Sequence, residues 1–172
     1  MDKYKKRIYY LAYKMTRDHD TADELAQESF VKAYNALSSF KGGYSFYTWI
    51  YRICVNLSIN FIKREQQKVS SELVSDADIL ATRPRQSDQL DRMILSEQAA
   101  VVKAELGKLP PDQKAAFILR TYDDLSYEKI SKIMGCSLGT VMSRLFRARH
   151  KLQDALKNWE SQPEMDDSDE EM

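Results

Sequence analysis

The sequence predicts an all-α chain of two small helical domains joined by a flexible linker, and three observations lead there. Apolar residues recur at three- and four-residue spacing along most of the chain. No stretch of any length alternates apolar with polar residues as a half-buried strand would. Glycine and proline, five and four in 172 residues, are too few for a turn-rich β fold. A chain of this length can bury one ordinary core or two small ones.

The first helix is expected over residues 3–16, where Ile8, Leu11, Ala12 and Met15 fall on one face. Arg17 to Thr21 breaks it. A second helix should begin near Thr21, a plausible N-cap, with Asp23 and Glu24 in the first turn where negative charge suits the helix dipole. Leu25, Phe30, Ala33 and Leu37 would face inward and leave Asp23, Gln27 and Glu28 on an acidic outer edge, which pattern alone reads as solvated. The loop Lys41 to Ser45 precedes an unusually aromatic helix. There Phe46, Trp49, Ile50, Ile53 and Leu57 form the core stripe, with Tyr47, Tyr51 and Arg52 on other faces. Aromatic rings interleaved with Arg52, Lys63 and Arg64 also suit a single-stranded nucleic acid, because bases stack on rings while cations track phosphates. These elements make residues 1–68 one domain.

Periodicity then fades, and residues 69–89, rich in Ser, Asp and Ala, read as a linker. The second domain, residues 90–159, opens with a helix from Leu90 to Leu106. Pro111 suits the first turn of the next helix, residues 111–122, since a proline there forfeits no intrahelical hydrogen bond. Leu125 to Leu156 reads as two helices joined by a tight turn. Ser126 and Ser137 can cap them, and Gly135 in Met134-Gly135-Cys136 can take a left-handed conformation without a Cβ penalty. That is a helix-turn-helix pattern.

On the last helix, Val141, Leu145, Ala148 and Leu152 form the inward stripe. Opposite lie Ser143, Phe146, Arg147 and His150, flanked by Met142, Arg149, Arg144 and Lys151. An aromatic ring among cations, facing away from the core, points to a helix that enters a DNA major groove. Arg147 and Ser143 can hydrogen-bond base edges or phosphates, and Phe146 can meet a thymine methyl. The alternative is a solvated basic helix with one stray phenylalanine.

Charge is balanced overall but unevenly placed. Residues 1–68 carry 12 Lys/Arg against 7 Asp/Glu, and residues 108–159 carry 10 against 5, so each is net +5. Residues 69–107 are net −3, and residues 160–172 hold 7 acidic residues with no Lys or Arg. Two basic segments suit a polyanionic partner. The acidic end, read as a disordered tail, could fold back on the basic helix and compete with DNA. No run reaches membrane-spanning length and no signal peptide is evident, so a cytoplasmic protein without membrane insertion is expected. Cys54, Cys136, His19 and His150 are scattered, which argues against a metal site, a disulfide framework, a cofactor or an enzymatic constellation.

Two blocks then carry a family likeness. DELAQESFVKAYNALSSFKGGYSFYTWIYRICVNLSINFIKR resembles region 2, and LPPDQKAAFILRTYDDLSYEKISKIMGCSLGTVMSRLFRARHKL resembles region 4, of the extracytoplasmic-function (ECF) sigma factors of bacterial RNA polymerase. The resemblance implies a non-enzymatic initiation factor that binds core RNA polymerase, delivers it to promoter DNA and assists strand opening, with an anti-sigma factor as a further partner. It implies that Asp23, Gln27 and Glu28 dock on the polymerase. Phe40, the Lys41, Tyr44 and Ser45 loop, and Asn56 would take a base flipped from the minus-10 strand, with Tyr51 on the same aromatic surface. On the recognition helix Ser143, Phe146 and Arg147 match minus-35-reading positions, with Arg144 and Arg149 as flanking candidates and Thr140, Tyr127 and Glu128 near the phosphates. Met142 stands where the family often has a basic residue. The chain starts at what matches the second half of the usual first region, so a leading helix of the family is expected to be absent, and the acidic tail is outside the family pattern. A stand-alone helix-turn-helix regulator is the alternative, and it leaves the first domain unexplained.

Overall fold

The computed structural model describes residues 2–40, 42–72 and 97–161. Among these, seven α-helices and one 3-10 turn are present and no strand. α1 (Asp2–Thr16), α2 (His19–Asn35) and α3 (Phe46–Glu72) pack on one another as an N-terminal bundle. α4 (Glu97–Lys108), α5 (Pro111–Thr121), α6 (Tyr127–Met134) and α7 (Leu138–Glu160) build the C-terminal bundle around α7.

Local chemistry sets most boundaries. α2 starts two residues before Thr21, because Asp18 is the cap and its Oδ1 accepts the Thr21 N–H at 2.8 Å. Arg17, at φ 61°, makes the sharp joint between α1 and α2. α2 stops at Asn35, and the 3-10 turn Leu37–Ser39 turns Leu37 outward, so Leu37 is exposed rather than inward as its spacing suggested. Ile8, Leu11, Ala12, Met15, Leu25 and Ala33 are buried as their spacing requires, and Phe30 is half-buried. α5 begins with Pro111 at a first-turn position.

α3 departs most from its pattern. It continues through Glu72, four residues into the stretch read as linker; the rest of that stretch, Leu90 to Ser96 and the acidic tail beyond Ser161 lie outside the described residues. Ile50 and Leu57 are buried, whereas Phe46, Trp49 and Ile53 are half-buried. Tyr51, placed by pattern on an outer face, is 1 % exposed. The reason is that α3 is covered on a second side by α5 and α6 of the other bundle. Tyr51 therefore sits inside one apolar cluster that runs from Ile8 and Val55 to Ile118, Ile133 and Leu145. Burial raises the Tyr47 and Tyr51 hydroxyls above the ordinary tyrosine range and keeps them neutral. Cys54 is buried beside the Ile8 carbonyl, its thiol pushed up to about 11 by burial, and serves as core filling. A smaller cluster of Leu106, Leu109, Ala148 and Leu152 holds α4 to α7.

Candidate nucleic-acid and polymerase interfaces

The helix-turn-helix forms through its caps. Ser126 Oγ accepts the Lys129 N–H at 3.3 Å, and Ser137 Oγ accepts the Thr140 N–H at 3.2 Å. Gly135 closes α6 at φ 62°, a left-handed position that an L-residue with a Cβ occupies only at a cost. The turn fixes the rotation of α7. Val141, Leu145, Ala148 and Leu152 are all buried, and the opposite face is open.

On that open face, Phe146 is 68 % exposed and Met142 52 %. With Tyr127, Arg149, His150 and Gln153 they border a shallow groove of about 450 Å³. The Phe146 ring meets His150 edge-on at 5.9 Å, and His150 Nδ1 lies 2.8 Å from Asp154 Oδ2. Ser143 is exposed and donates to the Thr140 carbonyl at 3.0 Å, a local bond that an incoming acceptor can replace. Arg147 and Arg149 are exposed and have no ion-pair partner among the described residues. Thr140 is half-buried, its hydroxyl 2.9 Å from that of Ser137. Tyr127, partly covered by the Arg120 guanidinium at 5.6 Å, and exposed Glu128 open α6.

Arg144 is different. Its guanidinium turns back on the protein, to Asp112 at 3.5 Å and Cys136 Sγ at 3.6 Å. Spacing placed it beside the reading face, but the carboxylate that captures it lies on α5.

The N-terminal bundle carries a second concavity, of about 240 Å³, bounded by Tyr44, Thr48, Trp49, Arg52, Asn56 and Lys132. Phe40 lies tilted against Trp49, with ring centroids 4.8 Å apart, and meets Phe46 edge-on at 6.4 Å, so it supports the wall. Tyr44 and Asn56 are exposed at the rim. Ser45 is engaged in starting α3: its hydroxyl accepts the Thr48 N–H at 3.2 Å. Lys41 lies outside the described residues. Tyr51 is removed from the candidate surface by its burial.

The acidic edge of α2 is exposed and internally paired. Gln27 Nε2 donates to Asp23 Oδ2 at 2.7 Å, and Glu28 pairs with Lys32 at 3.1 Å. It runs into an apolar strip that sequence reasoning missed: Val31, Tyr34 and Leu37 are 57, 78 and 52 % exposed. The signal was available, since Val31 and Tyr34 stand four and seven residues beyond Gln27 on the same side of the helix.

Helices without strands among the described residues, an exposed aromatic and basic face on the second helix of a helix-turn-helix, and a second aromatic cleft edged with cations define the architecture of a helix-turn-helix DNA-binding protein. Residues 1–68 match the family described as Sigma-70 region 2, and residues 100–152 match Sigma-70, region 4. The chain is 37 % identical over 161 residues to the RNA polymerase sigma-H factor of Pseudomonas aeruginosa, covering 90 % of this chain and 83 % of that one. It is 36 % identical over 163 residues to the ECF RNA polymerase sigma-E factor of Escherichia coli, again covering 90 % and 83 %. Among solved structures, the Bartonella quintana sigma factor RpoE in complex with the anti-sigma factor NepR aligns with a TM-score of 0.64 at 29 % identity, over 89 % of this chain and 91 % of that one. CnrH, solved in complex with the cytosolic domain of CnrY, shares the fold at a TM-score of 0.61, over 88 % and 80 % of the two chains at 22 % identity.

The chain belongs to the ECF sigma factors of bacterial RNA polymerase. It is a transcription initiation factor that binds the core enzyme, directs it to promoters and assists their melting. The stand-alone regulator reading fails on residues 1–68, which match a sigma region of their own.

Proposed function

We propose the following division of labour among the residues. Ser143, Phe146 and Arg147 read the minus-35 element in the major groove, with Met142 and Arg149 flanking and Thr140, Tyr127 and Glu128 near the phosphates. The cleft between Tyr44, Trp49 and Asn56 takes a base from the minus-10 strand. Asp23, Gln27 and Glu28, extended by Val31 and Tyr34, dock on core polymerase. The observation that carries this reading is the placement of Phe146 and Arg147 diametrically opposite the buried stripe of α7, which leaves them to a partner. Residues 1–68 and 90–159 act as separate functional units, and polymerase supplies all the chemistry. No helix among the described residues is long and apolar enough to cross a membrane, and the factor works in the cytoplasm, where polymerase and promoter meet. An anti-sigma factor holds it in check, a reading supported by its likeness to a sigma factor solved with NepR.

The test uses two variants with separate readouts. Asp23→Lys with Glu28→Lys is expected to weaken binding to core polymerase while leaving helical content unchanged. Tyr44→Ala with Asn56→Ala is expected to leave polymerase binding intact and slow opening of the minus-10 region. Unchanged affinity in the first case, or unchanged opening in the second, removes that assignment.

A further inference from the structure

His150 and Asp154 continue the open face of α7 beyond Arg147. His150 Nδ1 lies 2.8 Å from Asp154 Oδ2, one helical turn further on, and the Phe146 ring meets the imidazole edge-on at 5.9 Å from the turn before. An ionised carboxylate only accepts hydrogen bonds, so Nδ1 carries the proton and donates to Asp154. The imidazole is thereby held in one tautomer and one orientation, with Nε2 left for a partner. Both side chains are more than half exposed, on the side of α7 away from Val141, Leu145, Ala148 and Leu152.

With α7 in a major groove, the side chains of its first turns reach the bases. The helix rises about 1.5 Å per residue, which sets His150 roughly 10 Å beyond Ser143 along the axis, close to the groove width of about 12 Å. His150 comes level with a wall of the groove, where phosphate oxygens are within reach. These only accept. Neutral His150, its proton on Nδ1, presents them with a lone pair, and Asp154 brings a negative charge towards the backbone. The imidazolium reverses both effects: Nε2–H becomes a charge-assisted donor to phosphate, and the ring offsets the charge of Asp154. Imidazole takes up that proton between about pH 8 and 5.

The surroundings are simple. Arg147, Arg149 and Lys151 are the neighbouring cations on α7. Among the residues that line the groove, Tyr127 is the one titratable group from another helix, with Glu128 next to it in the first turn of α6. α4 packs on the far side of α7 through Leu106, and the α5 carboxylate of Asp112 is engaged by Arg144 and Lys63.

We propose that His150 is a further DNA-contacting residue of this sigma factor, a phosphate contact on the upstream duplex that forms by taking up a proton, with Asp154 as its positioning residue. The inference rests on the proposed placement of α7 in the groove. A phosphate against Nε2 favours the charged ring, so the proton is taken up with the DNA.

The experiment measures binding of the full chain to a duplex carrying the upstream element of a promoter it transcribes, and to a duplex of scrambled sequence, between about pH 6 and 8. The unaltered chain is expected to bind both roughly three- to tenfold more tightly at the acid end, with the dependence of log affinity on log salt steeper there by about one. The chain has two histidines, so one control suffices: His19→Gln should keep the response and His150→Gln should abolish it. Both His150 and Asp154 are exposed, so their substitution spares the core. His150→Arg should bind at the alkaline end as tightly as the unaltered chain does at the acid end, with no pH dependence. Asp154→Asn, lacking the charge that steadies the imidazolium, should bind more tightly at the alkaline end and respond less to acid. A response that survives His150→Gln, or one confined to the promoter duplex, overturns the phosphate contact. Arg147→Ala on the promoter duplex judges the placement of α7 separately. If that variant loses specific binding the placement holds, and the pH profile alone decides the role of His150; unchanged binding removes both.

Discussion

Arg144 and Asp112 are joined within the C-terminal bundle, Nη2 to Oδ1 at 3.5 Å, and Lys63 reaches the other oxygen of the same carboxylate at 3.2 Å. One arginine of α7 is thus held by protein, while Arg147 is exposed and has no ion-pair partner among the described residues, as its proposed contact with DNA requires. Alanine substitutions should separate them. Arg144→Ala is expected to lower the melting temperature slightly and leave base preference unchanged, since a partly exposed pair contributes at most about 1 kcal/mol. Arg147→Ala should cost about 1–3 kcal/mol of binding and relax preference at one promoter position. Binding measured across a panel of single-base-pair variants decides; a uniform loss with Arg147→Ala would make it a phosphate contact.

Met142 is exposed on the groove rim next to Arg149. Met142→Arg should raise affinity for the upstream duplex and steepen the dependence of log affinity on log salt by roughly one, because each added phosphate contact releases about one counterion. A salt titration of both proteins on the same duplex is the measurement. An unchanged slope would place the new arginine away from the backbone.

Lys114 gives a pH dependence with a definite sign. Its side chain is 6 % exposed, and burial, with Arg17 nearby, lowers its pKa from 10.5 to about 8. Below about pH 8 it is charged in both states, and the folded chain bears the full cost of burying that charge. Between about pH 8 and 10.5 the folded state has shed a proton that the unfolded chain keeps, so stability rises with pH. Lys114→Met should therefore stabilise the chain by about 1–3 kcal/mol at pH 7, with the advantage fading by about pH 10. Tyr51 and Cys54, whose ionisation burial delays, act in the opposite sense in alkali. Urea unfolding of both proteins side by side isolates the lysine. A constant difference across this range would show that Lys114 keeps its ordinary affinity for protons.

The caps are tested one at a time. Ser137→Ala removes the acceptor for the Thr140 N–H at the start of α7 and should lower stability by about 1 kcal/mol. It should also weaken duplex binding, because the first turn of α7 positions Thr140 and Ser143. A stability loss with unchanged duplex affinity would mean that the turn holds its geometry without the cap.

What was legible in the sequence follows from the range of the forces involved. Val141, Leu145, Ala148 and Leu152 are buried as spaced because α7 has one protein side and one open side, a condition that periodicity encodes directly. The serine caps and Gly135 were legible because their partners lie within five residues. Tyr51 was not, because the bundle that buries it begins some 25 residues beyond the end of α3. Arg144 failed for the same reason: the carboxylate that turns it inward stands 32 positions earlier in the chain. Thr21 suits a cap by residue type, but the left-handed joint at Arg17 starts α2 earlier and makes Asp18 the cap. For the apolar strip of α2, spacing puts Val31 and Tyr34 beside Gln27, but whether they meet solvent or core depends on where the helix ends.

The apolar cluster that passes from Ile8 through Tyr51 to Ile133 and Leu145 also bears on the lifetime of the protein. Helical bundles this small are marginal by themselves, and here each completes the other's interior. Heating should therefore melt both in one cooperative step, with calorimetric and van't Hoff enthalpies that agree. Parting the bundles would remove that mutual support. A chain whose bundles part is therefore expected to lose its protection against proteases first along the seam between Tyr51 and Ile133, which limited proteolysis would show.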